Sequence, residues 1–548
     1  MATASKVVFY SASPFGTGDI KTGSPTLTIS SGVATLTVAQ TGNIGAGDCI
    51  DFGGSNTKVY IAPCRIAFTS GWIEIKIHDK LKGLTSGATG IVRAVEVTSG
   101  SWIGGDAAGY IYFRKVTGTW NSSETIRRIM PNYDAFVAYT NSNLQGNMST
   151  TFVVKDPDGT ETDNVGSAQT VNSIHHVAAS LDAVDALYTG ASYINNTNLT
   201  SGGADVLVHI CGYYDHDDQT IDSTILGITS VTTDTDHYLY YYTPQGDKES
   251  INDQRHDGKW NANKYILEPS SGTVGVSAGL TIIRFEGFQL YSNSLDDFDG
   301  INCAATLFYV SHNIIKATIS GGDSDCRGIV ISSTTTGGYV WNNIIYDWEN
   351  GSKFNVGIYV NTGAKGYVYN NTVYNCYDGI YDGSGTNTLY IKNNIVQDCY
   401  NENYVFAGAA ISTHNIGNGA ASELAFGVTY KIGTTNGTTA NKLIHIGGNL
   451  ITAGTKIGCV VMNTTDTTYT RVTALDSEDQ LTLADDIFVS GENYYIFTNK
   501  IGDVTFNNEG ADDFHLGAGD AFAKNLGINL SADSNIAFWD DIDGDERL

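Results

Sequence analysis

Proline and charge are scarce in this chain. Pro occurs 7 times in 548 residues, and Lys, Arg, Asp and Glu together supply 16%. With so few charges the surface must be Ser, Thr, Asn, Gly and Tyr, which fits an extracellular or virion β-protein better than a cytosolic enzyme. Basic residues are the scarcer sign, 30 against 58 acidic, for a net charge of −28. A field of that sign repels phosphate backbones and anionic lipid, so neither nucleic acid nor a membrane is an expected partner. No run of eighteen apolar residues exists to span a bilayer as a helix. Met1–Tyr10 lacks a charged segment followed by an apolar one, so no secretory signal is seen. The eight cysteines form no C-x-x-C or Cys/His spacing of the kind zinc needs. The middle of the chain carries no helical period.

What it does carry is a phrase that returns: Val310-Ser-His-Asn-Ile-Ile-Lys, Val340-Trp-Asn-Asn-Ile-Ile-Tyr, Val368-Tyr-Asn-Asn-Thr-Val-Tyr and Ile391-Lys-Asn-Asn-Ile-Val-Gln. Its second Asn falls at Asn313, Asn343, Asn371 and Asn394, in steps of 30, 28 and 23 residues. A second beat, Gly300, Gly328, Gly357 and Gly379, keeps time with it. A period of this size means one supersecondary unit per repeat, stacked on its neighbours. Short Val-, Ile- and Tyr-rich strands between Gly and Asn predict an all-β fold built on a right-handed parallel β-helix. Ile314, Ile344 and Ile395 are expected to point inward and stack. Asn tolerates a left-handed corner, and its amides can bond along a stack. Cys376 and Cys399 follow their Asn by the same interval, so they should lie about 4.8 Å apart in successive turns. A buried thiol stack continuing from Trp348, or a disulfide between turns, both fit that distance.

The flanks read differently. Residues 1–168 form N-terminal β modules, with strictly alternating Thr26-Leu-Thr-Ile and Val33-Ala-Thr-Leu-Thr-Val between closely spaced turn signals. Residues 169–423 hold the β-helix, opened by a capping helix over 177–189 whose Val177, Leu181, Val184 and Leu187 share one face. The coils proper are expected from Asp205. Residues 424–499 read as an inserted, barrel-like β module, and 500–548 as the last coils and C-terminal cap.

Candidate sites are few. Asp347 and Asp398 share a column with Asn375 between them. Two turns place their backbones about 9.6 Å apart, near an inverting glycosidase's spacing of about 6.5–9.5 Å. The competing reading makes both acids solvated corner residues. Tyr213, Tyr214, Asp215, His216 and Asp217, with Arg255, His256 and Trp260, form the densest polar clusters. Aromatic rings there suit sugar stacking and Asp/His alternation suits a metal; polar loops of the first coils explain them equally. Asp541-x-Asp-Gly-Asp-Glu opens like a calcium loop but lacks a twelfth-position Glu, and a capping turn that pairs Arg547 with a carboxylate fits it better. No cofactor is expected, and the acidity suits loosely bound calcium at most.

The closing Asp513-Phe-His-Leu, Gly527-Ile-Asn-Leu and Asp541-Ile-Asp-Gly-Asp-Glu-Arg resemble the C-terminal signature of pectate-lyase-like β-helix proteins. The likeness covers roughly residues 170–423 and 500–548. Gly87-Ala-Thr-Gly-Ile-Val, Gly118-Thr-Trp-Asn-Ser-Ser-Glu-Thr-Ile and the 438–497 segment are similar to small β modules of bacteriophage structural proteins. The resemblance implies a carbohydrate-facing protein: a tailspike or tail fibre, a glycan depolymerase, or an adhesin. Fold alone does not choose among these. The family's calcium-binding Asp cluster with an Arg base has no counterpart in register here. The expectation is therefore a virion receptor-binding component that contacts other virion proteins and host-surface polysaccharide, most simply as a homotrimer. A polysaccharide hydrolase or lyase, and a secreted cell-surface adhesin, are the alternatives.

Overall fold

The computed structural model describes residues 4–55, 57–130, 133–187, 190, 193–214, 221–228, 231–269, 274–276, 280–293, 298–319, 325–350, 354–406 and 410–546. The protein is all-β, with 46% of residues in strands and 2% in helix. At its centre the chain visits three sheets in rotation. Ile282–Glu286, Gln289–Ser292 and Asp299–Cys303 make one circuit; Leu307–Ser311, Ile314–Ala317 and Arg327–Ile331 make the next. Strands pair in parallel with those one circuit on, Tyr309 with Tyr339, Ile314 with Ile344 and Ile329 with Ile358. Among the described residues the first sheet has nine strands and the third has seven.

The recurring phrase builds the corner between the first and second sheets. Its third residue, at His312, Asn342, Asn370, Asn393 and His414, takes a left-handed φ of 54 to 58°. The Asn that follows is buried and turns its side chain along the stack. Asn313 Nδ2 donates to Asn343 Oδ1 at 3.0 Å, Asn343 to Asn371 at 3.0 Å and Asn371 to Asn394 at 3.0 Å. The ladder then continues through Asn415 at 2.9 Å and Asn499 at 3.2 Å. From Asn343 onward each Asn oxygen also accepts the backbone N–H of the preceding rung's Asn, as Asn371 does from Asn343 N at 3.0 Å. A corner has no ladder partner for that N–H, so the amide supplies one.

The inward column is Ile315, Ile345, Val373 and Val396, which lie in the main core. This corrects the expectation that Ile314, Ile344 and Ile395 point inward; they face outward into a separate cluster with Phe506 and Phe514. Alternation fixes which residues share a face, not which face is inside, and here both faces are covered. The glycine beat answers the inward column directly. A Cβ at Gly357 would lie 2.5 Å from Val373 Cγ1, and one at Gly379 2.2 Å from Val396 Cγ1.

Both ends of the stack are closed. Lys6–Ala12 is the first strand of the first sheet, parallel to Val206–Gly212. The boundary expected at residue 168 therefore does not hold: the coil begins at the N-terminus and is interrupted. The interruption is a closed six-stranded barrel of Thr26–Ser30, Val33–Leu36, Cys49–Phe52, Thr57–Ala62, Thr151–Lys155 and Val165–His175. A second closed barrel, spanning 65–140, is inserted within it. Tyr60 and Cys49 of the first barrel lie on the stack core beside Tyr10. The capping helix is shorter than the expected 177–189, running Leu181–Asp185 from a Ser180 cap. Val177 and Ala178 N–H groups are taken by Ser11 O, which holds that stretch extended.

At the other end Thr429–Thr434 pairs antiparallel with Asn493–Ile501, so the inserted module leaves and returns at adjacent strands. Lys500 and Ile501 pair in parallel with Ile416 and Gly417, which makes the module's last strand a continuation of the second sheet. Leu424, Val460 and Phe497 close the core there. The chain beyond 503 then straps the outside. Asp512 reaches Lys316, Ile528 bonds Asn393, and Asp540 returns to His312, so the segment runs along the stack, turns back and runs along it again.

Candidate functional site

Chemistry gathers in a buried ionic junction and in an open cleft. The junction lies where the second barrel, the first sheet and the C-terminal strap meet. Arg93 and Arg114 come from the barrel, Glu286 from the sheet, Glu249 and Arg255 from a loop of the early coils, and Asp540 from the strap. All six are buried. Arg93 donates to Glu249 at 3.1 Å and Glu286 at 3.3 Å, Arg114 to Glu286 at 3.1 Å and Asp540 at 2.5 Å, and Arg255 to Glu286 at 2.7 Å. Tyr240 OH also donates to Glu286. Three cations thus meet three carboxylates in a dry interior, where any one left unpaired would cost several kcal/mol. Burial alone would raise the Glu286 carboxyl, but Arg93, His78, Arg255 and Arg114 hold it well below the usual range. With its oxygens already engaged, Glu286 has no freedom to act as a base. The junction is a clamp.

Burial claims half of the expected ligand-binding residues. Arg255 and His256 are buried, and His256 Nε2 donates to His312 O at 2.8 Å. Burial and the Arg255 cation hold the His256 imidazole neutral, well below its ordinary value. Tyr213 and Tyr214 are buried as well: Tyr213 OH donates to Ala46 O at 2.8 Å, and Tyr214 N to Gln254 at 2.9 Å. These four side chains are buried, Tyr213 against the first barrel and Arg255 and His256 within the stack, and present nothing to a surface ligand, which corrects that expectation. A loop dense in polar and aromatic residues looks alike in sequence whether it meets water or another module. Trp260 is half-buried under the Lys316 ammonium, 4.1 Å from the ring centroid. Asp215, His216 and Asp217 lie outside the described residues, as does Arg547.

Asp347 and Asp398 occupy a second left-handed corner, with φ of 64° and 58°. Asp347 Oδ1 accepts Asn375 Nδ2 at 2.7 Å, and Asp398 Oδ1 accepts Asn418 Nδ2 at 2.5 Å. Burial raises the Asp347 carboxyl against the pull of that Asn375 bond. The pair are rungs of a polar corner column with amides between them. Cys376 and Cys399 are free thiols in the core with Trp348. Among the described residues no group of three or more His, Cys, Asp or Glu side chains is placed to hold a metal ion. Nor is any helix among them long and apolar enough to cross a membrane.

On the first sheet Tyr309, Tyr339, Tyr367 and Tyr390 stack face to face at 4.6, 4.7 and 4.9 Å. The faces between them are spent on one another, and the Arg284 guanidinium sits on Tyr309, 4.0 Å from its centroid. A sugar platform needs a free face.

The cleft lies outside the first corner, between the stack and the strap. It has a volume of about 700 Å³, inside the ~300–1,000 Å³ usual for binding clefts. Ile344, Ile395 and Ile416 form its floor, Phe514, Ile528 and Phe538 its strap-side wall. Exposed Lys524, Asn525 and Asn529 stand at the rim with the half-buried His515, Asp541 and Asp543. His515 bonds Asp543 at 3.0 Å and Asp513 at 2.5 Å, and those carboxylates, Asp543 foremost, raise its imidazole to about 9. His414, where burial leads and Lys500 adds, is lowered to about 4. The sequence hid this site because its floor and its strap wall come from segments far apart in the chain, Ile344 to Ile416 and Phe514 to Phe538. Thr413-His-Asn-Ile did repeat the corner phrase and could have signalled His414 and Asn415.

Compared with protein families, curated proteins and solved structures, the chain matches none.

Proposed function

We propose that the three-sided stack is a right-handed parallel β-helix. On this reading the protein is a virion appendage of spike or fibre type, whose rigid outer surface contacts host glycans without cutting them. The observation that carries the reading is the cleft: an apolar floor with an amide-, Asp- and Lys-bearing rim, on a stack closed at both ends. Sugar rings offer apolar C–H faces and hydroxyl edges, and such a wall-and-rim arrangement meets both. The capped ends and the strap suit a rod that must stay rigid outside a cell. Assembly with other virion proteins and as a homotrimer belongs to the same proposal, since Trp72 at 63%, Ile103 at 93% and Tyr400 at 66% exposure give neighbouring copies apolar surface to cover. Light scattering on the purified chain tests the trimer; a monomer mass removes it.

A depolymerase is the second reading, favoured by one observation: Asp347 has the raised carboxyl that a general acid needs. The decisive experiment incubates a bound surface polysaccharide with the protein and measures chain length. Recovery of intact polysaccharide is expected. Shortened chains that disappear with Asp347→Asn or Asp398→Asn, in folded protein, would establish the depolymerase instead.

A further inference from the structure

We infer that the cleft selects uncharged glycans and rejects acidic ones such as polyuronates or sialylated chains. This rests on the glycan reading above and narrows it to a substrate class.

An anionic sugar needs cations to meet it. An acidic polysaccharide carries a carboxylate on most residues, and binding it requires Arg or Lys forks, or a bridging metal, at matching intervals. Among the described residues Lys524 is the single Lys or Arg lining the cleft, against Asp541, Asp543 and Glu546. His515 is a cation, but its two ring nitrogens are already spent on Asp513 and Asp543, at 2.5 and 3.0 Å. A bridging divalent ion has no ready seat, since no metal-competent group of His, Cys, Asp and Glu occurs among the described residues.

The corner column supplies the opposite chemistry. Asn342, Asn370, Asn393 and His414 stand one rung apart along the cleft as an uncharged column, Asn370 bonded to Asn342, Asn393 to Ile528 of the strap and His414 to Tyr430, and the exposed amides are Asn525 and Asn529 at the rim. Burial keeps His414 uncharged near pH 7, as its lowered value of about 4 requires. Beneath them, Ile344, Thr372, Ile395 and Ile416 repeat at the rung spacing as a low, mostly apolar floor. The surrounding field works the same way. A chain of net charge −28 raises the cost of bringing any polyanion near it, most steeply at low salt. The cleft of this chain is built against a polyuronate.

The test uses the full-length protein and a panel of oligosaccharides in calorimetry, at about 0.01 M and about 1 M salt, where the screening length is ~30 and ~3 Å. The neutral arm holds α- and β-glucan, mannan and chitin fragments; the acidic arm holds oligogalacturonate, hyaluronan and sialylated fragments. A neutral fragment is expected to bind, with affinity that changes little between the two salts. Leu516→Trp and Asn529→Trp, which place bulk at the cleft from two positions on the strap, should each weaken it about tenfold, near 1.4 kcal/mol. Two substitutions guard against one of them disturbing the strap itself. Tighter binding of an acidic fragment at low salt, lost at high salt and lost in the Trp variants, overturns the inference and leaves the glycan reading standing. Binding of neither arm overturns both.

Discussion

At the residue scale this molecule depends on amides and on missing side chains. Asn371 shows why. Its Oδ1 accepts both Asn343 N and Asn343 Nδ2 at 3.0 Å, while its Nδ2 donates to Val340 O at 2.9 Å, Tyr369 O at 3.1 Å and Asn394 Oδ1 at 3.0 Å. Asn371→Ala would strand buried partners on two adjacent rungs, each unsatisfied group costing about 1–3 kcal/mol. A loss of about 2–4 kcal/mol is expected, read as a lowered denaturant midpoint with unchanged slope. An effect below about 0.5 kcal/mol would mean water replaces the ladder freely. Gly357→Ala fails for the opposite reason, excess volume: its Cβ would sit 2.5 Å from Val373 Cγ1. That overpacking should cost about 1–3 kcal/mol in the same titration. Both roles were legible in the sequence, because the Asn and Gly beats kept one register. The sense of the Ile alternation was not, since nothing local says that a distant strap will cover the outer face.

At the element scale the inserted module and the barrels act as lids. A parallel stack ends in unpaired strand edges and exposed core, which invite pairing with another copy. Here the first barrel covers one end, and Leu424, Val460 and Phe497 cover the other. Thr434 and Asn493 are paired across the antiparallel strands, so a short turn can join them in place of the module between. That deletion is expected to preserve the parallel-sheet circular dichroism, because Asn499, Lys500 and Ile501 still seat on the last rung. The shortened protein should nonetheless elute as larger species than the parent, since Val460 no longer shields the core. An unchanged elution volume would show that the module is not a lid. The module's existence could be read from a broken period and clustered turn signals. The capping helix could be placed but not measured, because Ser11 O competes for the N–H groups of Val177 and Ala178.

At the scale of the whole molecule, barrel, stack and strap meet in one neutralised interior. His78 faces Glu286, Arg114, Asp540 and His312 there, and burial foremost lowers its imidazole to about 3. An unfolded chain binds that proton near pH 6.5, so between about pH 6.5 and 3 the unfolded state holds more protons than the native one. The stability this group contributes is present above pH 6.5 and is lost as pH falls through that window. Thermal unfolding across this range should show the parent losing melting temperature more steeply than His78→Gln. Parallel curves would remove His78 from the acid response. His515 has the reverse sign: its imidazole, raised to about 9, contributes below pH 6.5 and loses that contribution as pH climbs through 9. The strap should therefore loosen first in alkali at its Asp513 and Asp543 contacts, before the barrel junction does.

The sequence by itself determined the all-β class, the corner phrase, the Asn ladder and the places where the period breaks. Those are properties of neighbours in register, and a stacked repeat writes its neighbours into the chain at fixed intervals. Tertiary structure alone decided that Lys6–Ala12 opens the stack, that Arg255 and His256 are buried in a clamp, and that a cleft forms over the first corner. Each of these joins segments separated by tens to hundreds of residues, such as Lys6 with Val206 and Arg114 with Asp540. No local period marks such pairs, because what brings them together is the shared burial of apolar surface and the pairing of charges once water has left.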